Sequence, residues 1–387
     1  MAHFANRTVA GLLVTLLVSL GIVACGKKEE ASKDGVVKIG SAAPLTGGIA
    51  HLGKDNENGA RLAIEDVNKA GLTIGGKPVK LELVGEDDAA DAKTGTSVAQ
   101  KLVDAKVVAV VGHLNSGVSI PASKIYNDAG IVQISPSSTN PEYTKQGFKT
   151  TYRVVGTDAQ QGPALATYVV KNLKAKTVAI VDDATQYGKG LADEFEKTAK
   201  ASGATIVIRE ATNDKASDFK AILTNIKSKK PDVIMYGGMD ATGGPFSKQA
   251  KELGIAAKIV GGDGICSPTL ADLAGDAVEN VICSTVGVPL EKLKDSDAFL
   301  KRYKERFNVD VQIYSPMSYD AVMVIVEAMK RADSVDPKAI LAAVAQTKYS
   351  GLTGNIAFDE KGDLKESFIT INQFKDKKPV AVDVVKM

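Results

Sequence analysis

Val107-Val108-Ala109-Val110-Val111 runs straight into Gly112-His113-Leu114-Asn115-Ser116-Gly117, and Ile131-Val132-Gln133-Ile134 runs into Ser135-Pro136-Ser137-Ser138-Thr139. Each pair is an apolar run, as a buried parallel strand requires, ending directly in a hydroxyl-rich loop. A helical stretch begins near Ser119, between the two. Both loops therefore fall where the strands of an open α/β sheet end, the edge at which ligands bind. Free backbone N–H groups and Ser or Thr hydroxyls at such an edge suit a carboxylate and an ammonium rather than bond-breaking chemistry. The passage points to a receptor for a small zwitterion.

The same alternation extends outward in both directions. Upstream, an extended run over Val36–Ala43 precedes an amphipathic stretch at 55–69, a strand at 79–84 and a helix at 94–104; a helix at 120–129 separates the two loops. Downstream, a second series begins after Tyr152-Arg153-Val154-Val155. It reads helix 161–173, strand 177–181, helix 188–201, strand 204–209, helix 218–229, strand 233–236, helix 245–253 and strand 258–260. This predicts an α/β protein of two Rossmann-like lobes with parallel-core sheets and right-handed crossovers, a cleft lying between them. The tail differs: strand-like segments at 368–374 and 380–385 predict a hairpin pairing onto one lobe.

Bulk properties agree with two domains. The chain has 387 residues, 44% of them hydrophobic and 24% charged, which is globular and too long for one compact core. With no Trp and 5% aromatics, most of the core must be Val, Ile, Leu and Ala. The formal charge of +2 selects no partner, and no basic cluster reads as a nucleic-acid surface.

Residues 1–24 read as a signal peptide: Arg7 precedes an apolar stretch at 9–23 that is too short to span a membrane. Ile22-Val23-Ala24-Cys25 resembles the bacterial lipobox, in which the cysteine is acylated and becomes the mature N-terminus. Two readings stay open, acylation of Cys25 or ordinary cleavage after Ala24. Residues 25–35 form a polar tether, and the folded part is expected outside the cytoplasm. Cys266 and Cys283 then form an even pair in an oxidising compartment, either a disulfide or two buried thiols.

Enzyme motifs fail one by one. Gly71-Leu72-Thr73-Ile74-Gly75-Gly76-Lys77-Pro78 nearly matches a phosphate-binding loop, but it lacks the closing Ser or Thr and precedes a strand, so it reads as a turn. His51 and His113 have no cysteine or carboxylate at metal-ligand spacing; His113 reads as hydrogen-bonded inside its lobe. Asp182 and Asp183 point to opposite sides of an extended segment. No nucleophile elbow occurs. The expectation is a binding protein, not an enzyme, with no cofactor and no metal.

Five segments together carry a family resemblance. They are 112–116 with Pro121-Ala122-Ser123-Lys124-Ile125-Tyr126; 135–139 with Asn140-Pro141-Glu142; Gln186-Tyr187-Gly188-Lys189-Gly190; and Phe358-Asp359-Glu360-Lys361-Gly362-Asp363. From Val36 onward the chain resembles the leucine/isoleucine/valine-binding proteins of bacterial ABC importers. The resemblance implies a type I periplasmic binding protein with a three-crossing hinge, here near 155–158, 284–288 and 350–354. Lobe 1 would comprise 36–156 with 287–351, and lobe 2 would comprise 157–286 with 352–387. A monomer would bind an aliphatic amino acid and dock on a membrane permease; an amide, urea or aromatic acid is the alternative ligand.

The resemblance also implies a role for each site residue. Ser116 matches the serine whose hydroxyl and N–H hold the ligand carboxylate, Ser137 a position using its backbone groups, and Thr139 a threonine contacting the head group. Tyr187 matches the aromatic that lobe 2 brings over the ligand. Asp263 falls where an acid faces the ammonium, one methylene shorter than the family's glutamate. Met239 and Leu52 stand where relatives place tyrosines, so the side-chain pocket departs from the family. Asn115 replaces a cysteine that is disulfide-bonded in some relatives.

Overall fold

The structure is a computed structural model that describes residues 35–387. The signal peptide, Cys25 and all of the tether but its last residue lie outside the described residues. The chain opens with β1 (Val36–Ala43), α1 (Ala50–Ala70), β2 (Leu72–Ile74), β3 (Lys77–Asp87), α2 (Ala92–Asp104), β4 (Ala109–Gly112), α3 (Ser116–Ala129), β5 (Val132–Ser135), α4 (Glu142–Lys145) and β6 (Thr151–Arg153). It continues through α5 (Asp158–Lys171), β7 (Thr177–Asp182), α6 (Gln186–Ala201), β8 (Thr205–Ala211), α7 (Lys220–Lys229), β9 (Val233–Gly237), α8 (Asp240–Glu252), β10 (Lys258–Gly261), α9 (Pro268–Ala274) and β11 (Val281–Val286). It ends with α10 (Ser296–Phe307), α11 (Ser315–Ala332), α12 (Pro337–Val344), the ribbon β12 (Tyr349–Ser350) and β13 (Asn355–Ile356), and the hairpin β14 (Phe368–Lys375) and β15 (Lys378–Lys386).

Two sheets result. The first has the order β2-β3-β1-β4-β5-β6 and the second β15-β14-β11-β10-β9-β7-β8. All pairings within them are parallel except β2 on β3 and the β14–β15 hairpin, which joins β11 antiparallel. β4, β5 and β9 are buried at every position, because helices cover both faces of each sheet. Gly75 and Gly76 form the tight turn between β2 and β3, so the near-match to a phosphate loop is a hairpin.

The chain passes between the sheets three times. The first passage runs from β6 into α5. The second leaves β11 for α10 and α11, the latter packing along α1, and the third returns through the β12–β13 ribbon to β14. One buried apolar cluster links the two halves, joining Ile39 and Val111 beside the first sheet to Val178 and Met235 of the second. Among the described residues, no helix is long and apolar enough to cross a membrane.

Helix starts differ from the sequence reading in a consistent way. α3, α5 and α8 begin at Ser116, Asp158 and Asp240 rather than at 120, 161 and 245. Each carries a proline inside its early turns, Pro121, Pro163 and Pro245, and a proline that near the start reads as a first-turn residue. α1 likewise begins at Ala50 rather than 55: Ile49 supplies no side-chain cap, and burial of Leu52 sets the start.

Cys266 and Cys283 are disulfide-bonded, with Cα atoms 5.3 Å apart. The bridge ties the turn after β10 to β11.

Candidate functional site

All seven predicted site residues lie just beyond the carboxyl ends of parallel strands. Leu52 is in the first turn of α1, which follows β1. Ser116 opens α3 after β4, and Ser137 and Thr139 follow β5. From the second sheet, Tyr187 follows β7, Met239 follows β9 and Asp263 follows β10. All seven are buried. Hydrogen bonds from Tyr314 to Asp263, from Asn140 to the Gln186 carbonyl and between His51 and Asp240 join the edges of the two sheets that carry these residues.

Most hydroxyls of the two loops are used inside the scaffold. Ser135 Oγ donates to the His113 carbonyl at 2.9 Å and accepts the Ser138 N–H. Ser138 Oγ donates to the Leu114 carbonyl at 3.0 Å and contacts Ser119 Oγ at 2.6 Å. Ser137 Oγ donates to the Leu114 carbonyl and accepts from Asn56 Nδ2. Arg153, fully buried, then pins the second loop by donating to the Ser138 and Asn140 carbonyls, to Thr144 Oγ1 and to Asp363. His113 is held from behind by Asp88 at 2.8 Å and Tyr126 at 3.1 Å, as a histidine hydrogen-bonded inside the lobe.

Two hydroxyls remain uncommitted as donors. Ser116 Oγ accepts the Asn140 N–H at 3.2 Å and keeps its own proton, at the first turn of α3 where N–H groups point outward. Thr139 Oγ1 is buried with no hydrogen-bond partner.

On the second-sheet side, Asp263 is the centre. Its Oδ1 accepts from Gln161 Nε2 at 3.0 Å and Tyr187 Oη at 2.9 Å, and its Oδ2 accepts from Tyr314 Oη at 2.6 Å. Tyr187 Oη in turn accepts the Gly264 N–H at 2.9 Å. The glycines flanking Asp263 make this possible: a Cβ at Gly262 would stand 2.2 Å from Gln161 Oε1, and one at Gly264 2.7 Å from Met239 Sδ. Burial pushes the Asp263 carboxyl above the usual carboxylate range, against the three hydrogen bonds that favour its charge. The same burial, together with the Asp263 charge, raises Tyr187 and Tyr314 well above an ordinary phenol, so both are donors.

Met239 and Leu52 belong to one apolar cluster with Leu114, Tyr187 and Ile313. The hydrogen-bonded group around Asp263 thus adjoins an apolar cluster through Tyr187.

Sequence reading missed several residues. Tyr314, just ahead of α11, crosses from the first-sheet side to Asp263; Asn140 Nδ2 crosses to the Gln186 carbonyl; His51 Nε2 meets Asp240 Oδ2 at 2.6 Å. Their partners are 51, 46 and 189 residues away, and no local pattern encodes such pairs. A surface pocket of about 240 Å³ opens beside Asn140, Gln186 and Lys189 and contains none of the seven residues; its rim of Glu142, Lys145, Asp193 and Glu194 is charged, unlike the buried cleft. Among the described residues, no group of three or more His, Cys, Asp or Glu could hold a metal ion.

The sequence profile of the family described as "Periplasmic binding protein" matches residues 36–378. The chain is 35% identical over 338 residues to the leucine-, isoleucine-, valine-, threonine- and alanine-binding protein of Pseudomonas aeruginosa, covering 87% of this chain and 90% of that one. Its fold is similar to the branched-chain amino acid transporter substrate-binding protein LivJ of Streptococcus pneumoniae in complex with isoleucine, with a TM-score of 0.83, 30% identity, and coverage of 91% of this chain and all of that one. It is also similar to a solute-binding protein of an ABC transporter from Rhodopseudomonas palustris in complex with 3,4-dihydroxybenzoic acid, with a TM-score of 0.80, 26% identity, and coverage of 92% and 98%.

Proposed function

The chain belongs to the periplasmic binding protein family, and we propose that it is the solute receptor of an ABC importer for a branched-chain aliphatic amino acid. Lobe 1 (36–156 with 287–351) and lobe 2 (157–286 with 352–387) close around the ligand, and the closed form delivers it to the membrane permease. The observation that carries this reading is the pairing of two uncommitted hydroxyls, Ser116 and Thr139, with a buried carboxylate, Asp263, beside an aliphatic wall.

In this reading Ser116 Oγ and the first N–H groups of α3 donate to the ligand carboxylate, aided by the helix dipole. Ser137 contributes backbone groups, and Thr139 Oγ1 contacts the head group. Asp263 faces the ammonium, which needs a charge-assisted partner once buried. Tyr187 covers the ligand, and Leu52 and Met239 flank its side chain. Binding requires no cofactor, and the receptor acts as a monomer. The signal peptide directs it to the periplasm, and an acylated Cys25 tethers it to a membrane; Cys25→Ser should then move it to the soluble fraction.

A second reading is an aromatic acid, favoured by the relative that binds 3,4-dihydroxybenzoic acid. Such a ligand brings no cation to Asp263. A thermal-shift screen of the twenty amino acids, small amides, benzoate and 3,4-dihydroxybenzoate decides between them, since a ligand of the folded state raises its melting point. Leucine, isoleucine or valine should give the largest rise. A response confined to the aromatic acids would replace this reading with the second, and no response from any of them would sink both.

A further inference from the structure

Asp55 lies buried in the second turn of α1, and its carboxylate is the meeting point of a distant part of the chain. Its Oδ1 accepts from Tyr303 Oη of α10 at 2.9 Å and from the Gln312 N–H at 3.1 Å. Its Oδ2 accepts the N–H groups of Ile313 at 3.0 Å, Tyr314 at 2.7 Å and Ser315 at 3.0 Å. Four successive backbone N–H groups thus converge on one carboxylate, the concave arrangement in which a main chain holds an anion.

The segment so held is the entrance to α11. Tyr314 is the residue that caps this helix, and its own side chain makes no capping hydrogen bond. Asp55 supplies the missing acceptor from another helix, with its negative charge at the positive end of the α11 dipole. The two helices are also in close contact there: a Cβ at Gly59, one turn further along α1, would stand 2.2 Å from the Ser315 carbonyl oxygen. The backbone at 314 is therefore seated on α1.

What this seat carries is the side chain that crosses to the second sheet, with Tyr314 Oη donating to Asp263 Oδ2 at 2.6 Å. A phenol turns on only two torsions, so its hydroxyl goes where the backbone places it, and a hydrogen bond weakens steeply once misaligned. One turn before Asp55, His51 meets Asp240 directly. The start of α1 thus reaches the second-sheet side twice, once through His51 and once through Asp55 and Tyr314.

We propose that Asp55 is a positioning residue for cleft closure: it fixes the backbone at 312–315 and so holds the Tyr314 hydroxyl where it meets Asp263, favouring the ligand-bound state without touching the ligand. The proposal rests on the receptor reading and adds a residue outside the ligand's reach. A purely structural Asp55 would stabilise the fold alike with and without ligand. A positioning Asp55 acts on affinity, and does so through Tyr314.

The test is a double-mutant cycle read by calorimetric titration of the full chain with L-leucine, using wild type, Asp55→Asn, Tyr314→Phe and the double variant. Asparagine offers one oxygen in place of two and no charge, so it cannot hold every donor that Asp55 holds. Asp55→Asn should weaken L-leucine by about 3- to 10-fold in wild type and by less than about two-fold when Tyr314 is already phenylalanine. Equal weakening in both backgrounds, or undiminished affinity in Asp55→Asn, would overturn the proposal and leave the receptor reading intact. Failure of wild type to bind any amino acid would overturn the receptor reading, and the proposal with it. Should Asp55→Asn not fold, amide hydrogen exchange decides on wild type and Tyr314→Phe. L-Leucine should slow exchange of the 312–315 amides in wild type far more than in Tyr314→Phe, and equal slowing in both refutes the coupling.

Discussion

The hydroxyl of Tyr314 donates to Asp263 Oδ2 at 2.6 Å, joining the residue ahead of α11, on the first-sheet side, to the turn after β10 in the second sheet. Because it spans the two proposed lobes, it should contribute to closure rather than to either lobe alone. Tyr314→Phe removes one of three donors to a buried carboxylate, a loss of about 1.5–3 kcal/mol for a charged acceptor. L-Leucine should bind roughly 10- to 100-fold more weakly by calorimetry, with urea unfolding shifted far less. An equal loss in both measurements would mean that the bond supports the fold rather than closure.

His51 Nε2 and Asp240 Oδ2 form a second bridge at 2.6 Å, from the first turn of α1 to the first residue of α8. Ser267 Oγ donates to the same carboxylate oxygen, so Asp240 is pre-oriented for it. His51 is part-exposed and Asp240 fully buried, which puts the bridge at the rim of the cleft. Removing a rim contact of the closed state speeds opening more than it slows encounter. His51→Ala should therefore raise the dissociation rate of L-leucine in stopped-flow fluorescence by about three- to ten-fold, with the association rate nearly unchanged. A change confined to association would reject the latch.

These two bridges mark where sequence reading stops. The strands, the sheet edge and the loops at 112–117 and 135–139 announce themselves because each is a local pattern: an apolar run and then polar small residues. α11 does not. Buried residues crowd all but a few of its positions, from Ser315 to Met329, so no polar face betrays a helical period, and Tyr314 at its entrance goes unread. Asp55 is legible in sequence only as the first residue of an amphipathic stretch, since the donors it meets, Tyr303 and the N–H groups of 312–315, are a property of the folded chain. Likewise the loop hydroxyls look equivalent in sequence; only the structure separates Ser135 and Ser138, committed to carbonyls, from Ser116 and Thr139.

Arg153 shows how the second loop is kept rigid. It is fully buried, with its ion-pair partner Asp363 at 2.6 Å and its other donors on the loop carbonyls. Arg153→Met would leave Asp363 and two carbonyls without their partner, a loss of about 3–5 kcal/mol for a broken buried pair. Urea denaturation should show that drop. Asp363→Asn, which leaves Arg153 its carbonyl partners, should cost distinctly less; equal losses would shift the importance from the loop to the ion pair.

The Cys266–Cys283 bridge closes a loop that begins three residues after Asp263. Converting both cysteines to alanine should lower stability by about 3 kcal/mol through the unfolded chain's entropy. Ligand affinity should fall much less, because Tyr187 and Gln161 still hold Asp263. If instead affinity collapses while stability holds, the bridge is a positioning element for Asp263.

Asp183 gives a pH-dependent prediction with a definite sign. Its Oδ1 accepts from the Thr185 N–H at 3.0 Å and from Thr185 Oγ1 at 2.6 Å, while its Oδ2 is buried without a partner. Burial raises its pKa from 3.8 to about 6, outweighing the Thr185 hydrogen bonds. A carboxyl whose folded pKa exceeds its unfolded one favours the fold most below the unfolded value, and that stability is lost as pH rises through the folded value. The difference between 3.8 and about 6 corresponds to roughly 3 kcal/mol withheld above pH 6. Asp183→Asn keeps an Oδ1 acceptor for Thr185 and carries no charge. It should raise the urea midpoint at pH 7.5, by less than that full amount because the amide's N–H groups need partners of their own, and the gain should vanish near pH 4. A gain of the same size at both pH values would show that the effect is packing and not ionisation.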